Sequence, residues 1–233
     1  MPSGRSTTTN DPRNQPAYPL TETARYLKLP SATLRAWTLG RRYPTTQGKG
    51  DFRALIRPAC AKPPVLSFFN LIEAHVLRAL RTEHGVSVKA LRQAVEFAEK
   101  TLGIERLLLR PELRFDAGQV FLDRYGELID LSASGQLAMR QVLQAHLKRV
   151  TWDERRFPIR LHPFVVGEAI SSGMPIAIDP KISFGRPVII SRGISTAAIV
   201  ARIDAGETVE NLAADYDLSA TEIDEAVLYE RVA

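Results

Sequence analysis

The stretch LTETARYLKLPSATLRAWTLGRRYPTTQGKGDFRALIR, residues 20–57, decides the fold of the N-terminal part of the chain. Thr21 is predicted to cap a short first helix, because its hydroxyl can accept a free backbone N–H. Ala24 and Leu27 point inward from this helix at a spacing of three residues. Pro30 ends any helical continuation because it has no N–H to donate. The pattern predicts a short helix and then a tight turn.

A second helix is predicted for residues 31–39, with Ser31 as its cap. Leu34 and Trp37 share one face of this helix and must pack on the first helix. The outer face of such a helix can enter the major groove of DNA. There an arginine pairs with guanine, and a threonine contacts a base edge or a thymine methyl group. The predicted base-reading residues are Ser31, Thr33, Arg35 and Thr38.

A basic, glycine-punctuated stretch follows at residues 41–57 and predicts a hairpin that lies along the DNA phosphates. Gly48 and Gly50 bracket Lys49 in this stretch. Residues 20–62 contain nine basic and two acidic residues, a balance that attracts phosphate. Phosphate contacts position a protein on DNA without specifying the sequence. The predicted phosphate-binding residues are Arg41, Arg42, Lys49 and Arg53.

These residues resemble the MerR-type winged helix–turn–helix. The opening motif of that family, Tyr-x-Leu-x-Glu-x-Ala-x-x-Leu and then Thr-Leu-Arg-x-Trp, corresponds here to Tyr18, Leu20, Glu22, Ala24 and Leu27, and to Thr33, Leu34, Arg35 and Trp37. The resemblance continues through Gly50-Asp51-Phe52-Arg53 in the wing and through residues 68–74, FFNLIEA, in the following helix. Thr38 departs from the pattern, since the family usually has Glu after the Trp. The resemblance implies a recognition helix, a wing and DNA binding.

Composition limits the other possibilities. The chain has 233 residues, of which 45% are hydrophobic, enough for one large core or for two to three small ones. No run approaches the ~18 apolar residues that span a bilayer, and residues 1–19 lack the apolar core of a signal peptide. A cytoplasmic protein without membrane contact is therefore expected. Cys60, the single cysteine, allows no internal disulfide and is expected to be a half-buried apolar side chain.

The chain is predicted to be mainly α, in the sense of an α+β fold with four segments. These are a disordered arm at 1–17, a MerR-like winged helix–turn–helix with a helix pair at 18–104, a small α+β connector at 105–174 and a C-terminal helical, helix–turn–helix-like domain at 175–233. The helix pair is expected at residues 66–81 and 87–102. In the connector, the residue pattern predicts β-strands within residues 107–131. A helix is then expected to run to Lys148, and the chain is expected to be extended after Trp152.

The C-terminal segment has the outline of a second helix–turn–helix. A first helix is expected to end near Gly206, and Thr208 is expected to open the next. Ser219 and Glu222 have the spacing of a capping box for a third helix. Residues 196–233 contain two basic and nine acidic residues, and such a surface repels DNA. Protein contacts are therefore predicted, either with a basic partner or with a second copy of the chain.

Residues 179–189, DPKISFGRPVI, the run Arg192-Gly193-Ile194, and residues 205–208 and 212–230 are similar to a bacterial domain associated with antitoxins and long filed as of unknown function. With the N-terminal module, residues 18–230 resemble the VapB-type antitoxin architecture. The resemblance implies a PIN-like ribonuclease toxin as partner. The corresponding hypothesis is a homodimeric repressor that docks two recognition helices roughly 34 Å apart on its own operator. The predicted partner-binding residues are Phe184, Arg186, Arg192, Glu207, Glu210, Asp215 and Asp217.

No catalytic residue, metal or cofactor is predicted. The histidines His75, His84, His146 and His162 lack the i, i+4 spacing of a helical metal site. Gly185 and Gly193 lack the Lys-Ser/Thr step of a phosphate-binding loop. Two alternatives to the antitoxin hypothesis stay open. One is a MerR-like regulator whose connector senses a small molecule, and the other is an adaptor whose basic face binds RNA or an acidic protein.

Overall fold

The computed structural model of the protein describes residues 11–45, 48–52, 54–82, 106–109, 146–163 and 173–231, with only the backbone described for residues 42–45, 48–52, 82 and 107. The described α-helices are α1 Leu20–Tyr26, α2 Ser31–Leu39, α3 Phe68–Thr82, α4 Thr196–Asp204, α5 Val209–Tyr216 and α6 Ala220–Arg231. The strands are β1 Tyr18–Pro19, β2 Arg41–Thr45, β3 Gly48–Phe52, β4 Cys60–Ala61, β5 Pro64–Leu66, β6 Val150–Trp152, β7 Pro158–Leu161, β8 Ile176–Ile178, β9 Pro187–Ile189 and β10 Ile194–Ser195. None of the helices within these ranges is long and apolar enough to cross a bilayer.

Two short helices and a strand pair follow one another in the N-terminal unit, as predicted, but the predicted caps are wrong. The helix α1 begins at Leu20, so Thr21 lies inside its first turn, and α2 begins at Ser31 itself. A proline precedes each helix, and neither helix has a side-chain cap. The physical reason is that a capping side chain must come from the non-helical residue before the helix, and here that residue is Pro19 or Pro30, which has no side-chain acceptor. Pro30 O accepts the N–H groups of Thr33 at 2.9 Å and of Leu34 at 3.2 Å.

The predicted hairpin is present as the antiparallel pair β2 and β3, in which Arg41 lies opposite Phe52 and Thr45 opposite Gly48. After β3 the chain returns to the end of α2. The Trp37 carbonyl there accepts the N–H groups of Leu55 at 2.7 Å and Ile56 at 3.0 Å. This pair of hydrogen bonds fixes the base of the hairpin to α2.

The central helix α3 confirms the helix expected at residues 66–81 and contributes eight buried side chains to the larger core. The side chains of its first ten residues are buried. Ser67 Oγ accepts the Asn70 N–H at 3.2 Å, and Asn70 Oδ1 accepts the Ser67 N–H at 3.1 Å, which makes a reciprocal cap of the capping-box kind. Asn70 Nδ2 also donates to Arg57 O at 2.9 Å, so the cap holds the chain that leaves the hairpin. The helix expected at residues 87–102 lies outside the described residues.

Two sheets frame this core. The first is antiparallel, in the order β1-β5-β4, and the second has the order β10-β9-β8-β7-β6 with antiparallel neighbours. The second sheet takes strands from both sides of the expected boundary at residue 175. Residues 107–109 are a 3-10 helix, so the prediction of strands for residues 107–131 is wrong at its start. Leu108 and Leu109 pack in the core instead, and the rest of residues 110–145 lies outside the description.

The C-terminal helices α4, α5 and α6 enclose a second, smaller core that includes Ile199, Leu212 and Ile223. The predicted caps are confirmed here. Thr208 Oγ1 accepts the Asn211 N–H at 3.3 Å. The Ser219 N–H donates to the Glu222 carboxylate at 2.9 Å, and the Glu222 N–H donates to Ser219 Oγ at 3.2 Å.

The arm expected to be disordered is ordered from residue 11, which corrects that prediction for its last part. Pro12–Asn14 form a 3-10 helix capped by Asp11. Arg13 donates to Asp11 at 2.7 Å and to Asp153 at 2.8 Å, and its guanidinium lies 5.3 Å from the centre of the Phe69 ring. Arg13 therefore helps to fix the arm to the core through ion pairs and an aromatic face, contacts that composition alone does not reveal.

Candidate nucleic-acid interface and partner surface

Arg35 lies on the outer face of α2. Leu34 and Trp37 are fully buried, and this burial turns the other side of the helix outward. Ser31 and Arg35 are exposed there, and Thr33 is half-buried. Within the described part of the chain, the Arg35 guanidinium has no ion pair. The geometry leaves Arg35 able to place its planar fork against a base edge or a phosphate.

Thr38 does not belong to this face, so the prediction that it reads bases is wrong. Its side chain is 2% exposed, and its hydroxyl donates to Leu34 O at 2.9 Å. The apolar face of α2 includes Thr38 because residues 34 and 38 are one helical turn apart. A threonine tolerates burial at such a position because it can bond back to the carbonyl four residues earlier. The i, i+4 spacing from Leu34 is the sequence signal that was missed.

The predicted phosphate contacts fall on or beside the β2–β3 pair. Arg41 is exposed at the first position of β2. Arg42 and Lys49 occupy backbone positions opposite Asp51 and Pro44, and their side chains lie outside the description. Arg53 is outside the described residues altogether. The strand pair therefore follows the C-terminal end of α2 along the chain, and Gly40 is the single residue between α2 and β2.

Two of the nine basic residues of this region are used inside the chain, so they do not contribute free charge to a phosphate surface. The Arg25 guanidinium lies 3.1 Å from the Glu230 carboxylate. Lys28 Nζ lies 4.3 Å from the centre of the Tyr229 ring. Burial there lowers the pKa of Lys28 below its ordinary value, chiefly by removing the ammonium group from water. The partners are about 200 residues away, which no local pattern reveals.

The predicted partner surface has its most exposed apolar group at Phe184. This side chain is 93% exposed, in a turn where residues 183, 184 and 185 all have positive φ. The Gly185 N–H donates to Ile182 O at 2.9 Å and thereby closes the turn. Gly185 packs on Tyr18, and a Cβ at this position would lie 2.0 Å from the Tyr18 hydroxyl. The turn is therefore held against β1 while it presents an aromatic ring to solvent.

The charged members of the predicted partner surface form two groups. Arg192 forms an ion pair with Asp217, near the turn between α5 and α6. Arg202 of α4 forms ion pairs with Glu207 and Asp215, and this arginine holds the pKa of Glu207 below its ordinary value. The remaining members, Arg186 and Glu210, are exposed. Glu207, Asp215 and Asp217 are therefore paired with arginines of the same module, while the module keeps its excess of carboxylates.

A histidine pair that the sequence pattern does not reveal lies in the larger core. The rings of His75 and His146 are 5.3 Å apart, and His75 Nε2 lies 3.1 Å from His146 O. Complete burial lowers the pKa of His75 to about 3. Among the residues that the structure describes, no group of three or more His, Cys, Asp or Glu side chains is arranged to hold a metal ion.

Comparison with known proteins extends over most of the chain. The family described as "Protein of unknown function (DUF433)" matches residues 176–229. The chain is similar to the Mycobacterium tuberculosis protein "Putative antitoxin VapB45", with 29% identity over 232 residues that cover 91% of this chain and 92% of that protein. It is also similar to "Uncharacterized protein Rv2308" of the same organism, with 28% identity over 222 residues that cover 91% and 89% of the two chains.

One solved structure has a related architecture. The crystal structure of Rv2018 from Mycobacterium tuberculosis aligns with a TM-score of 0.66 at 23% sequence identity. The alignment covers 91% of this chain and 97% of that chain. The likeness shows that the two proteins share a fold over nearly their full length.

Proposed function

We propose that this protein is a DNA-binding antitoxin of a type II toxin–antitoxin system. It represses its own operon as a homodimer, and it neutralises a PIN-like ribonuclease toxin. The residues that contact DNA bases are Ser31, Thr33 and Arg35. The residues that contact DNA phosphates are Arg41, Arg42, Lys49 and Arg53. Thr38 supports α2 from inside and does not touch DNA.

The observation that carries the DNA-binding part is the position of Arg35. Its guanidinium is exposed on the outer face of a helix whose inner face is anchored by Leu34 and Trp37, and a basic strand pair follows at once. A helix that is anchored by its buried face and presents an exposed arginine beside a basic strand pair suits base readout in a major groove. The similarity to a protein named as an antitoxin, over 91% of the chain, supports the biological role.

The partner-binding part rests on the C-terminal module. An exposed aromatic ring at Phe184 and exposed carboxylates such as Glu210 are the groups that a basic, partly apolar protein surface complements. An RNA-cleaving toxin needs basic charge where it binds its substrate. The acidic face of this module would cover that surface and exclude the RNA.

The first experiment is purification of the tagged protein from its own cells at native expression, with mass spectrometry of bound proteins and sequencing of bound DNA. The proposal expects the product of the adjacent gene, together with DNA from upstream of the operon. Recovery of that DNA without the neighbouring protein would contradict the antitoxin role and favour a stand-alone regulator. Recovery of neither would contradict the proposal as a whole.

A further inference from the structure

The last turn of α1 depends on a residue from the far end of the chain. In an α-helix, the carbonyl of Tyr26 would accept the N–H of the residue four positions later. That residue is Pro30, which has no N–H. The Tyr229 hydroxyl donates to Tyr26 O at 3.0 Å instead. Tyr229 is 1% exposed, so this hydrogen bond is shielded from water.

The neighbouring residue Glu230 ties three helices together. One carboxylate oxygen accepts from Arg25 of α1 at 3.1 Å, and the other accepts from Thr196 Oγ1, at the start of α4, at 2.6 Å. The Glu230 side chain is only 9% exposed. Both carboxylate oxygens are therefore engaged, one by an arginine that is 47% exposed and one by a hydroxyl, and these charge-assisted bonds join α6 to α1 and α4.

The turn between α1 and α2 also packs against Tyr229. Lys28 has a φ of +51°, a left-handed conformation that is uncommon for a residue with a Cβ. Its ammonium group lies over the Tyr229 ring, which is a cation–π contact. The end of α1, the turn and α6 are therefore packed as one body, and the direction in which α2 leaves the turn depends on α6.

From these contacts we propose that Tyr229 and Glu230 are positioning residues for DNA recognition, and that α6 is part of the DNA-reading unit. The inference rests on the proposed DNA binding. Base contacts require side chains to be held within about 0.5 Å of the productive geometry. A turn that lacks its hydrogen bond and its carboxylate tie would let α2 reorient, and sequence-specific contacts would weaken before phosphate contacts do.

The test compares two conservative variants with matched controls. Tyr229→Phe keeps the ring over Lys28 and removes only the hydroxyl. Tyr216→Phe removes a hydroxyl from the same module without an α1 contact. Glu230→Gln removes one negative charge at the contact, and Glu154→Gln removes one from the exposed turn at residues 153–156. The probes are a DNA fragment enriched by the wild-type protein from a random pool and a scrambled fragment of the same length and composition.

Tyr229→Phe and Glu230→Gln should each lower the affinity for the enriched fragment by about five- to tenfold at fixed salt. Affinity for the scrambled fragment should stay within about twofold, and both controls should match wild type on both probes. Thermal unfolding confirms that each variant is folded at the assay temperature. A purely structural role would leave the ratio of the two affinities unchanged.

The outcomes separate the inference from the proposed function. If the wild-type protein enriches no fragment, DNA binding is wrong and the inference fails with it. If the wild-type protein enriches a fragment and the two variants bind both probes as the controls do, DNA binding stands and the positioning role alone is wrong. An equal loss on both probes would also overturn the positioning role, because it would show a loss of phosphate contact.

Discussion

The Arg160 guanidinium lies 3.0 Å from the Asp179 carboxylate and joins β7 to the turn that presents Phe184. Asp179 is 6% exposed, and its other carboxylate oxygen accepts the Lys181 N–H at 2.9 Å. The carboxylate thus supports the turn from two sides. Since residues 183–185 all have positive φ, the turn needs such support to keep its shape.

Asp179→Asn should destabilise the protein by about 1–3 kcal/mol. The amide keeps the volume of the side chain but weakens the charge-assisted bonds to Arg160 and directs an NH₂ group toward a donor. Urea unfolding followed by circular dichroism measures the change. Asp224→Asn, at an exposed position of α6, serves as the control and should change stability by less than about 0.5 kcal/mol. Equal effects at the two positions would show that the ion pair does not support the turn.

Arg35→Ala tests base reading. The variant should lose about 1–3 kcal/mol of binding free energy on the preferred DNA site and little on random DNA, because a side chain that reads a base contributes mainly to the specific complex. Fluorescence anisotropy at fixed salt measures both affinities. Arg155→Ala, which removes an exposed positive charge from the turn at residues 153–156, should leave the ratio of the two affinities unchanged. An equal loss on both DNAs from Arg35→Ala would assign this arginine to the phosphates.

Thr38→Val tests the corrected role of Thr38. Valine has nearly the same shape, and the lost hydroxyl was bonded to a carbonyl of its own helix. Stability should therefore change by less than about 1 kcal/mol, and DNA affinity should stay within about twofold of wild type. Anisotropy with the Arg35→Ala probes measures the affinity, and urea unfolding measures stability. A specific loss of affinity for the preferred site would return Thr38 to the base-reading set.

Local sequence patterns predicted the parts of the fold that short-range physics determines. The Ser219–Glu222 box and the Thr208 cap could be predicted because both partners lie within three residues. The α1–α2 unit and the strand pair after it also follow from spacing, glycine and proline. The N-terminal caps could not be predicted in the same way, since Pro30 takes the N-cap position and Ser31 is already the first residue of the helix.

Long-range contacts are where prediction from sequence failed. The hydrogen bond from Tyr229 to Tyr26 spans 203 residues, and neither tyrosine stands in a motif that indicates the other. The second sheet pairs β7 with β8 across residues 164–172, although composition places a domain boundary near that point. The four predicted base-reading residues were chosen from the pattern of a single helix, so Thr38 was assigned to the wrong face. Burial depends on what packs against a helix, and the helix sequence alone does not contain that information.

The buried His75 gives the protein a pH-dependent stability with a definite sign. Burial lowers its pKa to about 3 in the folded state, whereas the imidazole of an unfolded chain titrates near 6.5. As the pH falls below about 6.5, the unfolded state binds a proton that the folded state does not accept, so the contribution of His75 to stability is lost. It is fully present above that pH and should decline by about 1 kcal/mol per pH unit between pH 6 and pH 4.5.

His75→Gln removes this titration while leaving an N–H that can reach the carbonyl of His146. Urea unfolding of both proteins from pH 7.5 to pH 4.5 should show a shallower decline for the variant, with the difference confined to the range below about pH 6.5. His162→Gln is the matched control. Its ring is only partly buried, and its pKa is lowered chiefly by burial while two carbonyls, of Met174 and Ile176, oppose the shift. The control should therefore follow the wild-type curve more closely than His75→Gln does. Parallel curves for wild type and His75→Gln would show that His75 binds its proton equally in the folded and unfolded states, and would contradict the lowered pKa of the buried ring.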